Sequence, residues 1–247
     1  MKIGALFIVH YGLEWLRWAI RSVMDSVDGV HVFYTETPSH GHQTSLVCPE
    51  SRYDIMRSIG SLSVNWHDCG PFEHEGYHRD YAEAQMFAMG YDSLLIVDAD
   101  ELWEPFLLKK FIEYGTHSEA RMIRVGMRHF WRSLKWVCDD ECAPHRMTNK
   151  VGTGEAYYPM DGGRVFHMGY AQSVGIINYK IQIHGHRNEW RENWWNDKFM
   201  SWKPGCGITD VHPTNKDGFW DPKPYADDGK LAFTCGDHTY WNMELIE

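Results

Sequence analysis

The sequence lacks a long hydrophobic run, because none of its apolar stretches approaches the roughly 20 residues that a helix needs to cross a bilayer. Its first apolar stretch, Ile3–Val9 after Lys2, is short and is followed by His10, Glu14 and Arg17 without a small-residue cleavage site. We therefore interpret this stretch as a buried first strand rather than a signal peptide. These absences predict a protein without a membrane span.

Cysteine is also scarce, with six residues scattered over a chain of 247. A chain of this length can build its core without disulfides, so reduced thiols and a cytoplasmic location are expected. Cys138 and Cys142, with His145 nearby, have the spacing of half a zinc site, but no convincing second pair accompanies them. A zinc site is therefore not the favoured interpretation.

Positive charge is in the minority, with 24 Lys and Arg against 34 Asp and Glu and a formal net charge of -10. This balance argues against a protein that coats nucleic acid through bulk charge, although it leaves room for a local basic groove. What the sequence does have is 43% hydrophobic residues, together with 15 His, 12 Trp, 13 Tyr and 11 Phe. That composition predicts one globular domain whose rings pack in the core or line a concave binding site.

Short apolar runs alternate with helical stretches over the first third of the chain, which is the pattern of parallel strands joined by crossover helices. The predicted fold class is therefore α/β, with a mostly parallel, Rossmann-like sheet flanked by helices. No internal repeat is apparent. The predicted strands are 3–9, 30–34, 63–66, 93–97 and 120–125, and the predicted helices lie within 13–28, 77–89 and 104–114.

The second half reads as irregular, with Trp, Gly, His and Pro throughout. We expect helices at about 176–183 and 190–202 and a long loop at 205–224, of a length that is usually functional or mobile. A shorter loop is expected at 38–42, after the second strand. Basic and aromatic residues interleave between His184 and Lys203. Such a surface can stack sugar rings or an extruded base, although several of its tryptophans are expected in the core.

The most informative position is the end of the apolar strand 93–97, which runs directly into Asp98-Ala99-Asp100-Glu101. Ligands of open parallel sheets bind beyond the carboxyl ends of the strands, where two carboxylates at i and i+2 would lie. Their oxygens suit Mg²⁺ or Mn²⁺, which can neutralise a diphosphate leaving group. The alternative is that these acids cap the following helix, for which one Asp would suffice. We therefore favour a metal site.

The segments Tyr77–Ala82, Gly90–Asp92 and Leu95–Glu101 together resemble the region that leads into the DXD motif of GT-A fold nucleotide-sugar glycosyltransferases of the family-2 type. The first strand with His10-Tyr11 and the second strand ending in Thr35-Glu36 are similar to the same family. In the second half, 166–173, Lys180, His186-Arg187 and 210–213 resemble the H-x-G-Y block of small bacterial and phage members.

The resemblance implies a metal-dependent transferase that moves a sugar from a nucleotide-diphosphate sugar, most simply a UDP-sugar, to an acceptor hydroxyl. It implies Mn²⁺ or Mg²⁺ bound directly by Asp100, with Asp98 acting through water or on the donor ribose. His167 is the implied third metal ligand and His212 the alternative. The implied donor-binding residues are His10, Tyr11, Glu36, Arg79 and Asp98.

The resemblance also implies one GT-A-type domain with a donor half, 1–125, and an irregular acceptor half, 126–247. If the reaction inverts the anomeric centre, a carboxylate must take the acceptor proton. Asp161 is the first candidate, ahead of Glu155, Asp139, Asp140 and Glu141. In a retaining reaction a phosphate oxygen of the donor could take that proton instead.

The acceptor is left open between a saccharide or peptide, ranked first, and a hydroxymethylated pyrimidine in phage DNA, in which case the protein would act in the host cytoplasm. The oligomeric state is not predicted. Three other classes are weighed against the transferase: a paired-Asp phosphatase, a metal-dependent nucleotidyltransferase and a non-catalytic carbohydrate-binding protein. The first expects its nucleophile after the first strand, where this chain has His10-Tyr11. The last does not require Asp98 and Asp100.

Overall fold

The computed structural model describes residues 1–38, 47–139, 141–185, 187–214, 220–226, 229 and 231. Most of the loop expected at 38–42, together with Asp140 and His186, lies outside these residues. The α-helices are α1 (Leu16–Val23), α2 (Arg52–Ile59), α3 (Glu75–Ala88), α4 (Pro105–His117) and α5 (Val174–Ile183). The strands are β1 (Ile3–Val9), β2 (Gly29–Tyr34), β3 (Asn65–Asp68), β4 (Ser93–Asp98), β5 (Glu101–Leu102), β6 (Met122–Arg124), β7 (Met127–Trp131), β8 (Trp136–Asp139), β9 (His145–Asn149), β10 (Glu155–Tyr157), β11 (Val165–Tyr170) and β12 (Lys223–Pro224).

The main sheet has seven strands in the order β10-β6-β9-β4-β1-β2-β3. The pairs β1–β2, β1–β4, β2–β3 and β6–β10 are parallel, whereas β9 runs antiparallel to both β4 and β6. The α/β prediction with a mostly parallel sheet flanked by helices is confirmed. β1 and β4 are buried along most of their length because helices cover the sheet on both faces, which explains why both read as unbroken apolar runs.

Two apolar layers hold the helices to this sheet. On one face Ile20, Val97 and Phe111 belong to a large cluster that joins β1 and β4 to α1, α2 and α4. On the other face Leu6 and Ile96 pack against Met86 of α3. Each fully buried side chain of this kind contributes roughly 1.5–3 kcal/mol. The layers therefore fix the positions of the strand ends that carry the polar residues described below.

The second half of the chain carries more regular structure than its sequence predicts. A five-stranded sheet in the order β12-β8-β7-β11-β5 packs beside the first. Its strands are short and have aromatic side chains on both faces, which hides the alternation that a half-buried strand normally shows. The helix expected at 190–202 is instead a shorter π-helical segment at Trp195–Met200, and a separate 3₁₀ turn precedes it at Arg187–Glu189.

The tryptophans between residues 131 and 220 mostly form a second core, as the sequence predicts. Trp131, Trp194, Trp202 and Trp220 are at most 7% exposed and belong to one aromatic cluster, against which Trp190 and Trp195 pack in partly buried positions. Their rings meet mainly edge to face, for example Trp131 and Trp194 at 6.0 Å. These tryptophans therefore serve chiefly to build the second half of the fold.

The acidic turn joins the two sheets. β4 ends at Asp98 in the first sheet, and the chain enters the second sheet as β5, which pairs with β11 in the register His167↔Glu101. The carboxyl end of β1 lies beside that of β4, with Ile8 opposite Asp98. A Cβ placed on Gly12 would lie 2.9 Å from the Ala99 Cβ, so the loop after β1 runs directly against the acidic turn.

Candidate functional site

A cavity of about 320 Å³ lies at the carboxyl ends of β1 and β4. Its lining combines His10 and Tyr11 after β1, Asp98 and Asp100 after β4, and His167, Lys180 and other residues from the second half of the chain. The location is the one that a parallel α/β sheet uses for ligands. Both halves of the chain contribute to this lining.

Asp98 is held by a buried arginine. The Arg146 Nη2 atom, on β9, donates to Asp98 Oδ2 at 2.6 Å, and Arg146 is 5% exposed. Burial raises the pKa of Asp98, but the positive charges of Arg146, Arg79 and His167 together outweigh burial and lower it. Asp98 is therefore an ionised carboxylate with one oxygen bound to Arg146 inside the protein.

The same arginine binds Glu101, which is fully buried. Arg146 Nε lies 2.8 Å and 2.9 Å from the two Glu101 carboxylate oxygens, and Arg146 Nη2 lies 2.5 Å from Oε1. Burial raises the pKa of Glu101, and the attraction of Arg146 opposes that rise. We call Asp98, Glu101 and Arg146 the arginine clamp. It fixes both ends of the acidic turn to β9.

Asp100 projects into the cavity and has three partners of its own. Gln172 Nε2 donates to its Oδ2 at 2.9 Å, Lys180 Nζ lies 3.5 Å from the same oxygen, and His167 Nε2 lies 3.6 Å from Oδ1. Burial alone would raise the pKa of Asp100, but Lys180 and His167 lower it well below its usual value. Asp100 therefore stays ionised at any physiological pH.

His167 is oriented by a second histidine. Its Nδ1 lies 2.8 Å from Nδ1 of His129, so one of these nitrogens donates to the other, and the two rings meet edge to face at 4.9 Å. When His167 Nδ1 is the donor, its Nε2 is left with a lone pair towards Asp100. Fixing the tautomer of a ligating histidine through its second nitrogen is common in metal sites.

Asp100 and His167 fit a divalent cation in part. Two ligands of an octahedral Mg²⁺, each about 2.1 Å from it, lie about 3 Å apart, so the 3.6 Å between Asp100 Oδ1 and His167 Nε2 needs only a small adjustment. Over the described residues no group of three His, Cys, Asp or Glu side chains is arranged around one metal position. Protein ligands would therefore fill two positions, and water or a ligand's phosphate oxygens would fill the rest.

His212, the alternative metal ligand, lies apart from the acidic pair. Its Nδ1 lies 2.9 Å from the Thr214 carbonyl oxygen, and its ring meets Trp220 edge to face at 4.5 Å. His212 does not line the cavity, whereas Trp220 does. Trp220 stacks on His129 at 4.5 Å, so His212 reaches the cavity wall only through that ring.

The two residues after β1 form an aromatic corner of the cavity with Tyr179 of α5. His10 Nδ1 lies 2.9 Å from the Thr35 carbonyl oxygen, to which only an N–H can donate, so Nε2 of the neutral ring accepts from Tyr179 Oη at 2.7 Å. The Tyr11 and Tyr179 rings meet edge to face at 6.2 Å, and burial raises the pKa of Tyr11. Rings held in this way offer a surface for a flat ligand.

A buried carboxylate fixes the loop that carries this corner. Glu50 Oε2 accepts hydrogen bonds from the backbone N–H groups of Gly12, at 2.6 Å, and Leu13, at 2.8 Å. Glu50 is 7% exposed, and burial raises its pKa while the two N–H donors oppose the rise. No motif marked this residue in the sequence.

Neither of the other two predicted donor-binding residues, Glu36 and Arg79, lines the cavity. Glu36 follows β2, is exposed and is absent from the lining. Arg79 of α3 donates to Glu75 at 3.2 Å and is one of the charges that lower the pKa of Asp98. Glu75 itself lines the cavity, so α3 presents a third carboxylate there.

Asp161, the predicted base, lies in a 3₁₀ turn at Met160–Gly162. Its side chain is exposed, and it does not line the cavity. The carboxylates that do are Glu75, Asp98 and Asp100. The structure thus brings together the acidic pair, His167, His10 and Tyr11, and leaves Asp161, His212 and Glu36 outside.

No protein-family model and no curated protein matches the chain. Solved structures with a partly similar fold include TarS residues 1–349 from S. aureus, at a TM-score of 0.37 and 13% identity over 52% of this chain and 36% of that chain. Another is glucosyl-3-phosphoglycerate synthase from Mycobacterium tuberculosis, in complex with Mn²⁺, UDP-glucose and phosphoglyceric acid. It matches at a TM-score of 0.36 and 11% identity, over 53% of this chain and 44% of that chain. The chain spans less than half the length of either. No described helix is long and apolar enough to cross a membrane.

Proposed function

We propose that this protein is a divalent-metal-dependent glycosyltransferase that transfers a sugar from a nucleotide-diphosphate sugar, most simply a UDP-sugar, to an acceptor hydroxyl. The observation that carries the proposal is the convergence of Asp98, Asp100 and His167 with the rings of His10 and Tyr11 in one cavity. Oxygen and imidazole ligands suit Mn²⁺ or Mg²⁺, and the rings suit a nucleobase. The sequence resemblance described above points to the same activity.

The charges of the cavity favour binding a metal and a diphosphate together. Each of its three carboxylates has a cationic partner within 3.5 Å: Arg79 for Glu75, Arg146 for Asp98 and Lys180 for Asp100. A divalent cation alone would add uncompensated positive charge, and a diphosphate alone would add negative charge. The pair is close to neutral and avoids both penalties. We expect metal and nucleotide to bind cooperatively.

Asp100 and His167 would hold the cation, and Asp98 would act through water, because one of its oxygens is committed to Arg146. The bound cation supplies stabilisation of the negative charge on the leaving diphosphate. In the transfer, the bond between the anomeric carbon and the diphosphate oxygen breaks and its electron pair stays on that oxygen. The acceptor oxygen forms the new bond to the anomeric carbon and loses its proton.

Glu75 is the cavity carboxylate that we assign to receive this proton in an inverting reaction. Asp98 and Asp100 are poor bases because their pKa values are lowered, whereas Glu75 has a side chain that is 45% exposed and a partner, Arg79, at the surface of α3. The acceptor that we place first is a saccharide or peptide hydroxyl, and a hydroxymethylated pyrimidine in DNA is the second.

A thermal-shift panel tests the proposal. The protein is melted with the UDP, GDP, CDP and TDP sugars, each with and without Mn²⁺, beside an Asp100→Asn control. A ligand at 100 times its Kd stabilises the native state by about 2.7 kcal/mol, or roughly 5–10 °C for a domain of this size. We expect one nucleotide class to give this shift only with Mn²⁺ and only in the wild type. If no sugar nucleotide shifts the melting temperature, the proposal is wrong.

A further inference from the structure

Lys180 places a positive charge inside the cavity. It lies on α5, its side chain is 11% exposed, and among the described residues that line the cavity it is the only lysine or arginine. The other two nearby cations are engaged elsewhere, since Arg146 is buried behind Asp98 and Arg79 is paired with Glu75. Lys180 is therefore the permanent protein cation that an anionic ligand in this cavity would meet.

The hydrogen-bond acceptors that the structure describes near Lys180 are fewer than the N–H donors of its ammonium group. An ammonium has three N–H donors, whereas among the described residues two oxygens lie within reach of Nζ: the Gly169 carbonyl at 3.1 Å and Asp100 Oδ2 at 3.5 Å. The Tyr170 ring centre lies 5.4 Å away and adds a cation–π contact. The Asp100 contact is longer than the 2.7–2.9 Å typical of a charge-assisted hydrogen bond. Removing a charge from water is costly when its hydrogen bonds are incomplete, which favours a further acceptor.

The sequence around Lys180 also sets it apart. α5 reads Val-Gly-Ile-Ile-Asn-Tyr-Lys-Ile-Gln-Ile, in which Lys180 is the only charged residue, and its neighbours Ile177, Tyr179 and Ile183 are buried. A lysine in such a helix is expected at a solvated surface position, where its ammonium is fully hydrated. Here Lys180 lines the same cavity as Asp100, His10 and Tyr11.

We infer that the Lys180 ammonium binds the diphosphate of the donor nucleotide, and that its contact with Asp100 is the resting position in the unliganded protein. This inference rests on the function proposed above. When Asp100 serves the metal, its charge is no longer available to Lys180, and a phosphate oxygen offers a closer and more highly charged partner. The ammonium then stabilises the electron pair that the diphosphate oxygen keeps when the glycosidic bond to it breaks.

The test compares Lys180→Met with the wild type by calorimetric titration of UDP and of uridine, each in Mn²⁺ at about 100 times the Kd of Mn²⁺ for that protein. Methionine keeps the apolar stem and removes the charge. Loss of one charge-assisted contact predicts UDP binding about 10- to 100-fold weaker and uridine binding unchanged. Lys180→Arg should recover most of the UDP affinity. Lys150→Met is the matched control, because Lys150 is exposed and follows the end of β9 that pairs with the amino end of β4, opposite the cavity.

A second readout separates this role from a purely structural one. Mn²⁺ binding to the nucleotide-free protein, followed by electron paramagnetic resonance, should be equal or tighter in Lys180→Met, since Asp100 loses its competing cation. A weaker UDP affinity together with an equal or tighter Mn²⁺ affinity supports the inference. Equal losses for UDP, uridine and Mn²⁺, or no loss for UDP, would overturn it. A wild type that binds neither UDP nor any other nucleoside diphosphate would instead overturn the proposed function, and the inference with it.

Discussion

Removing Arg146 is expected to be among the most damaging single changes to the acidic turn. The guanidinium is 5% exposed and Glu101 is fully buried, so Arg146→Met leaves the Glu101 carboxylate without its counter-charge in the protein interior. It also releases Asp98, which loses its 2.6 Å partner. Breaking a buried ion pair from one side costs about 3–5 kcal/mol, because the remaining charge is uncompensated.

The measurement is urea unfolding at pH 7 followed by tryptophan fluorescence. With an m-value of about 3 kcal/mol/M, a loss of 3–5 kcal/mol lowers the urea midpoint by roughly 1–1.7 M. The aromatic cluster around Trp131 and Trp194 makes the signal large. Lys198→Met, which removes an exposed ammonium that donates to the Thr209 carbonyl, should stay within about 0.5 kcal/mol of the wild type.

Adding Glu101→Gln to Arg146→Met tests whether the two residues interact through their charges. Glutamine keeps the shape of Glu101 without its charge, so the double variant should be more stable than the sum of the two single changes by about 0.5–3 kcal/mol. If Arg146→Met costs less than about 1 kcal/mol, or if the two changes simply add, the clamp does not hold the turn through charge and the account of Asp98 must be revised.

The remaining predictions concern metal binding, catalysis and pH. His167→Gln should weaken Mn²⁺ binding by about tenfold or more in a paramagnetic resonance titration, whereas His212→Gln should change it less than twofold; the opposite order would make His212 the ligand. Glu75→Gln should lower kcat at least about 100-fold with donor Kd unchanged; a loss in Asp161→Asn instead would make Asp161 the base. Burial lowers the pKa of His31 to about 4 in the folded protein, whereas the unfolded chain keeps a value of about 6.5. As the pH falls below about 6.5, the unfolded chain therefore takes up this proton before the folded protein does. Stability is then lost between about pH 6.5 and 4, by about 2 kcal/mol from pH 7 to pH 5, and His31→Gln should remove that loss from the urea midpoints.

The acidic turn after β4 was the part of the candidate site most accessible from sequence. An apolar run long enough for one strand, followed at once by Asp98 and Asp100, predicts both the strand and the position of the carboxylates at its end. The two rings after β1 were predicted for the same reason. Parallel neighbours in a sheet share one edge, so residues that follow such strands converge without any further information.

The groups that compensate these charges were not predictable in the same way. Arg146 lies 48 positions from Asp98 and reaches it only because β9 inserts antiparallel beside β4, a pairing that no local pattern encodes. Glu50 also acts across a long separation, on the loop at Gly12. Lys180 did leave a signal, since it is the one charge in an otherwise uncharged helix. Residues whose role is set by tertiary contacts become visible only once the sheet order is known.

The strands of the second sheet were missed because their periodicity is masked. β7 and β11 have buried residues on both faces, many of them aromatic, and His129 and His167 interrupt their apolar patterns. Yet this sheet supplies His167, through the register of β11 with β5. The sequence therefore predicted the aromatic content of the second half, but not the strands that bring His167 to the site.

The most direct test of the central claim is a crystal of the protein with Mn²⁺ and UDP, measured at a wavelength where manganese scatters anomalously. The account predicts a single strong peak within about 2.3 Å of both an Asp100 oxygen and His167 Nε2, with the nucleotide's phosphates completing the coordination. A nucleotide bound elsewhere, or a cavity with neither metal nor phosphate beside Asp100, would contradict it.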